Sequence, residues 1–338
     1  MEGRNETAVS VFILLGFSSL GEKLKIFLFL VVLLIYLITI TGNGVIIFTV
    51  WLDNRLHTPM YFFIANLSFL EIWFISVTSP KMMLNFLSVS KTISFHGCMV
   101  QSFFYFALGA TEFALLTVMS FDRYVAICHP LQYATVMNQR LCVQLVLGSW
   151  VGCFMIMSFR MLLFSNLRFC GPNVINHFFC DNSPLFQLSC TNTAEIRRAD
   201  YTLISTIGLS SLCLTMLSYV SIIFSILQIP TASGRQKAFA TCASHFTALT
   251  VVYGSCIVLY ARPLGSSPLD VGKGVALLNT VLYPFLNPFI YSLRNKTMKL
   301  ALQEAIVKCW KAVPQSVPGF FIVRRKATER IAGHESVS

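Results

Sequence analysis

Residues 119–133 read MSFDRYVAICHPLQY, and the pair Asp122-Arg123 stands near the end of an apolar run that begins around Phe95. Two charges in mid-membrane are costly, whereas at the membrane rim they can neutralise each other and still meet a partner. The surroundings decide which case applies. The chain has 338 residues, 55% of them hydrophobic and only 12% charged. That is too little polar surface to cover a soluble globule, so part of its apolar face meets lipid. From Cys98 to Arg123 a helix rises roughly 38 Å, about a bilayer with its interfaces, which puts the charged pair at one edge.

Working outward, seven stretches reach the length a spanning helix needs: 26–51, 59–85, 95–128, 141–164, 197–228, 235–262 and 271–293. The expected fold is therefore all-α, a seven-transmembrane helix bundle. Residues 1–25 are expected as an extracellular tail, 26–293 as the transmembrane domain, and 294–338 as a cytoplasmic amphipathic helix followed by a disordered tail. MEGRNETAVS carries no basic leader and VFILLGF is short, so the first span is expected to insert as its own anchor. After Ser292 come Arg294, Lys296, Lys299, Lys308 and Lys311, a basic excess that marks the C-terminal side as cytoplasmic. The same bias accounts for the net charge of +11 without a nucleic-acid partner. Asn5, in the sequon Asn5-Glu6-Thr7, then lies outside as a glycosylation acceptor. Met298, Leu302, Ala305 and Cys309 share one face of the expected amphipathic helix, with Cys309 open to palmitoylation.

Cys98, Cys170, Cys180 and Cys190 fall on the extracellular side, where disulfides persist, and four cysteines allow three pairings. Within the membrane, Asn43, Glu71, Glu112 and Asn287 are polar groups that need partners. Such groups can simply glue helices together. The sharper reading is a buried cluster that takes up a sodium ion or a proton, with Pro288 freeing a backbone carbonyl beside it. His177, Cys180 and Asp181 have metal-like chemistry, but a disulfide at Cys180 removes the thiolate, so no metal site is expected. Arg160 is expected to snorkel to the interface and Arg262 to sit at a loop edge. The six histidines are scattered with no nucleophile-base spacing, which disfavours an enzyme. No repeated halves suggest a transporter.

Taken together, LHTPMYFFIANLSFLE, MSFDRYVAICHPLQY, LSYVSII, KAFATCASHFTALT and PFLNPFIYSLRNK resemble the vertebrate odorant receptors of the rhodopsin-like G-protein-coupled family. The resemblance runs from Phe12 to about Lys299. It implies a Cys98–Cys180 bridge and a Cys170–Cys190 bridge. It implies that Asp122-Arg123-Tyr124 is a latch whose arginine is released toward a G protein, supported by Tyr219 and Tyr291. Tyr253 takes the place where most rhodopsin-like receptors carry a tryptophan switch, and Lys237 and His245 belong to the sixth-span motif. The implied ligand site is Ser102, Tyr105, Phe106, Gly109, Leu203, Ile207, Cys256, Tyr260, Leu277 and Thr280. These are nearly all apolar or aromatic, which favours a small volatile odorant with one hydrogen-bonding group over a biogenic amine. The implied partners are the stimulatory olfactory G protein, raising cyclic AMP, and a trafficking chaperone. Glu71 stands where the family usually has aspartate, so an extra methylene crowds the polar cluster. The segment beyond Pro314 is longer than usual, and no family counterpart is expected for it.

Overall fold

The computed structural model describes residues 9–18, 20–164, 167–170, 173–260, 268–294 and 296–312. The chain divides into two units, Met1–Lys299 and Leu300–Ser338. The first is built from β1 (Val11–Leu14), α1 (Glu22–Leu52), α2 (Pro59–Leu87), β2 (Thr92–Ser94), α3 (Phe95–Cys128), α4 (Tyr133–Val136), α5 (Gln139–Phe164), β3 (Val174–Ile175), α6 (Asn182–Leu188), α7 (Ala194–Leu227), α8 (Ala232–Tyr260), α9 (Pro268–Leu277), a π-helical turn (Leu278–Leu282) and α10 (Tyr283–Arg294). A last helix, α11 (Lys296–Ala312), continues into the second unit.

Among the described residues, α1, α2, α3, α5 and α7 are long and apolar enough to cross a membrane. The expected sixth and seventh spans correspond to α8 and to α9–α10, which the π turn joins. Local sequence sets the ends. Thr58 precedes Pro59, whose fixed φ and missing N–H suit a first helical position. Ser94 caps α3 by accepting from the Gly97 N–H at 3.1 Å.

The spans pack as a closed ring, α1 on α2 and α10, α8 on α7 and α10, with α3 against α2, α5, α7 and α8. Burial follows that placement. Leu108, Leu115 and Leu116 of α3 are fully covered, whereas Leu30, Leu34 and Leu37 of α1 face outward, as lipid-facing side chains do. Gly42 lets α1 approach the seventh span, since a Cβ there would lie 3.1 Å from Pro288 Cγ.

The end of the bundle that carries the disulfides has its own small core. β1 lies between β2, antiparallel, and β3, parallel, so a strand forms inside the segment expected as a tail. Its alternation turns Phe12 and Leu14 inward, against Cys98, Cys180, Phe169 and Ile175.

Candidate functional site

Between α2, α3, α5, α7, α8 and the seventh span lies a cavity of about 620 Å³. Its wall is largely apolar, with Phe74, Phe106, Phe113, Met157, Ile207 and Val252 among its residues. Tyr105 closes the disulfide end, its ring 4.3 Å from that of Phe179. The polar lining groups are few: Tyr105, Glu112, Ser205, Tyr253, Asn279 and Tyr283. Asn279 belongs to the π turn, which interrupts the helix where the wall is formed.

Below the cavity, Tyr253 is held by hydroxyls. Its OH is 2.6 Å from Ser211 Oγ and 3.3 Å from Thr215 Oγ1, and Ser211 is 2.7 Å from Thr117 Oγ1. One side chain of the cavity wall is thereby joined to α7 and α3.

The four polar groups expected as a cluster lie near it. Asn43 Nδ2 donates to the Thr39 carbonyl at 3.0 Å and to the Pro284 carbonyl at 3.3 Å. Pro288 has no N–H to offer that Pro284 carbonyl, so Asn43 takes the place of the missing helical bond. Asn287 Nδ2 donates to Glu71, and Glu71 and Glu112 lie within electrostatic reach of each other. Asn43 Oδ1, Glu71 Oε2 and Asn287 Oδ1 are buried acceptors without a hydrogen-bond partner.

At the opposite end, Arg123 is paired with its neighbour Asp122, its Nε donating at 2.9 Å. Both side chains are buried. Asp122 also accepts from Tyr133 OH at 2.7 Å, so α4 holds the carboxylate from its other oxygen. Burial and the adjacent carboxylate push the Tyr133 phenol well above its usual range, which keeps it a donor. Tyr124 OH meets His129 Nε2 at 3.1 Å, and Tyr219 OH meets His245 Nδ1 at 2.8 Å.

The implied ligand residues divide. Tyr105, Phe106, Gly109 and Ile207 line the cavity. Ser102 does not, because its hydroxyl is buried toward Asn182. Leu203 is displaced from the lining by its neighbour Ile204. Leu277 packs against the cluster of Val32, Met82 and Phe178, and Thr280 is turned into its own helix, donating to the Ala276 carbonyl at 2.7 Å. The side chains of Lys237, Cys256, Tyr260, Tyr291 and Cys309 lie outside the described residues, as do Asn5 and Arg262.

Arg160 departs from the expected snorkelling position. It is 1% exposed, paired with Asp200, and its guanidinium lies 4.3 Å from the Phe106 ring centre and 4.6 Å from that of Phe164. Asp200 also accepts from Asn182 Nδ2 at 2.9 Å. Spacing within the chain could not reveal this, because Arg160 and Asp200 are 40 residues apart. A lone acid at the start of an apolar span was the available signal.

The loop between α5 and α7 is fastened to α3 by Cys98–Cys180 and to itself by Cys170–Cys190. His177 is buried between aromatic rings, 4.7 Å from Phe178 and 4.5 Å from Phe179. Burial, helped by nearby Lys273, pulls its imidazole down to about 3. Lys273 donates to Asn176 Oδ1 at 2.7 Å, joining the loop to α9. Among the described residues no group of three His, Cys, Asp or Glu could hold a metal ion.

This arrangement has known counterparts. The family model described as "Olfactory receptor" matches residues 32–309. The chain is 49% identical to Olfactory receptor 6E1 of Mus musculus, over 91% of this chain and 98% of that one. It is 48% identical to Olfactory receptor 6A2 of Homo sapiens, over 89% and 94%. With Olfactory receptor 6J1 of Homo sapiens it shares 47% identity over 97% of this chain and 92% of that one. That last similarity runs into the segment beyond Pro314, so a relative does have a counterpart for much of it. In fold, the crystal structure of squid rhodopsin is similar at a TM-score of 0.69 and 17% identity, over 86% of this chain and 81% of that one.

Proposed function

The chain belongs to the olfactory receptor family, and from that premise we propose that it is a receptor gated by a small, mostly apolar volatile odorant with one hydrogen-bonding group. The observation that carries this reading is the cavity of about 620 Å³, walled by aromatic and aliphatic side chains with a few hydroxyl and amide groups. Its size and polarity suit a ligand of that class, and few atoms in the ligand mean modest affinity. The basic residues after Ser292 orient the C-terminus to the cytoplasm, so the disulfide end is outer and the Arg123 end inner.

The mechanism is a population shift. Odorant contacts that differ between two arrangements of the bundle favour the one with the inner ends of α7 and α8 swung out. Tyr253 is the link, because it lines the cavity and is bonded to α7. In the resting arrangement Arg123 is held by Asp122, while Tyr219 is engaged by His245. Release of Arg123 seats a helix of the stimulatory olfactory G protein about 25 Å from the odorant, and cyclic AMP rises. A sodium ion or a proton suits the buried acceptors of Asn43, Glu71 and Asn287 near Glu112, where it would neutralise charge that hydrocarbon penalises. A trafficking chaperone completes the set of partners.

The test is cyclic AMP in heterologous cells supplied with that G protein and a trafficking helper, across a panel of volatiles, with surface staining and Arg123→Ala alongside. A dose-dependent rise that the variant loses at equal surface density is expected. Silence across the panel at good surface density would overturn the volatile-ligand reading.

A further inference from the structure

Four polar residues outside the cavity form one connected network. Arg160 pairs with Asp200, Asn182 Nδ2 donates to Asp200 at 2.9 Å, and Ser102 Oγ donates to Asn182 Oδ1 at 3.3 Å. All four are buried. Three of them stand one helical turn outward from a residue of the cavity wall: Ser102 above Phe106 on α3, Arg160 above Met157 on α5, and Asp200 above Ile204 on α7. Residues three or four apart share a helix face, so each of these three sits directly over a wall residue. The fourth, Asn182, lies two residues beyond Cys180 and so ties the network to the disulfide-bonded loop. Arg160 also lies against the face of Phe106, which lines the cavity.

A buried ion pair contributes little net stability, since desolvation offsets the attraction, and apolar replacements of the pair are often as stable. What this pair does contribute is geometry. It fixes α5 to α7 at one spacing, and its planar guanidinium holds the Phe106 ring in one orientation. We infer that the Arg160–Asp200–Asn182–Ser102 network is a positioning element for odorant discrimination: it sets the separation of three cavity walls and thereby which ligand lengths fit. None of the four lines the cavity, so they act through Phe106, Met157 and Ile204. The inference rests on the proposed odorant cavity.

The experiment compares cyclic AMP dose-response curves for a homologous series of straight-chain aliphatic volatiles centred on an active compound, normalised to surface density. In the unaltered receptor, one methylene away from the preferred length is expected to shift potency by about tenfold. The double variant Arg160→Met with Asp200→Leu should still respond, with that step flattened to about twofold. A network that only supports folding would change surface density, or shift every ligand by a common factor, and leave the ratios intact. That result would overturn the inference. If the double variant is retained inside the cell, Arg160→Lys and Asn182→Ala, which keep the charges paired, carry the test. Flattened ratios in either support the inference, and unchanged ratios, or retention of all three variants, overturn it. An unaltered receptor that answers no volatile would instead sink the cavity reading itself.

Discussion

Two buried arginine-carboxylate pairs stand at opposite ends of this bundle, and they are built differently. Arg160 and Asp200 join separate helices, and Asp200 is further engaged by Asn182. Arg123 is paired with the residue beside it on the same helix. Opening the first leaves two charges stranded between α5 and α7. Opening the second separates no helices and frees a guanidinium for a new partner. On the proposed reading the outer pair acts as a staple and the inner pair as a latch, and chain connectivity makes the difference.

That contrast can be broken by removing one carboxylate at a time. Asp200→Ala leaves Arg160 buried without its paired carboxylate, with Asp181 the remaining acid in electrostatic reach; the effect is about 3–5 kcal/mol, and surface density should fall sharply with no rise in basal signal per receptor. Asp122→Asn should do the reverse. With the latch weakened by about 2 kcal/mol, basal cyclic AMP per receptor should rise severalfold, and a flat baseline at matched surface density would count against the latch.

The loop at the outer end sharpens the comparison through pH. The His177 imidazole is lowered from 6.5 to about 3 in the folded loop. Between those values the unfolded loop binds a proton that the folded loop excludes, so stability is full above about pH 6.5 and declines as pH falls toward 3. At pH 5 the loss is on the order of 2 kcal/mol. Amide protection factors in β1 and the surrounding loop, which divide out the pH dependence of intrinsic exchange, should therefore be lower at pH 5 than at pH 7.5. His177→Phe should abolish that difference, and a difference that survives would assign it to another group. The smallest effect is expected from Tyr133→Phe, which removes one hydrogen bond to Asp122 at a cost of about 1.5 kcal/mol. It should raise basal signal less than Asp122→Asn does; an equal or larger rise would make α4, rather than the ion pair, the main restraint.

Much of this architecture could be read from residue order alone. The spans follow from apolar runs, and the position of Asp122-Arg123 follows from helix rise, because both depend on local periodicity. Asn43 and Pro288 were legible for a similar reason: each announces a polar need that the membrane cannot meet. The outer end was less legible. VFIL is too short to signal a strand, and β1 forms only because β2 and β3 flank it. Arg160 reads as a snorkelling cation until Asp200 is brought to it from another span. Ser102 has the helical phase of a ligand contact but is drawn to Asn182 in a loop whose course the chain order does not reveal. Tyr133 was visible inside the quoted stretch, yet its role needs the turn at His129-Pro130 that swings α4 back onto Asp122.

The most direct test of a stapled outer end and a latched inner end is a pair of distances in one receptor preparation. Spin labels at His129 and Phe239 report the separation of α3 and α8 at the inner end, and labels at Phe159 and Tyr201 report α5 and α7 at the outer end. All four positions are exposed. With an activating volatile, the inner distance should lengthen by several ångströms while the outer distance stays fixed. An inner distance that does not change, or an outer distance that opens with it, would contradict the account.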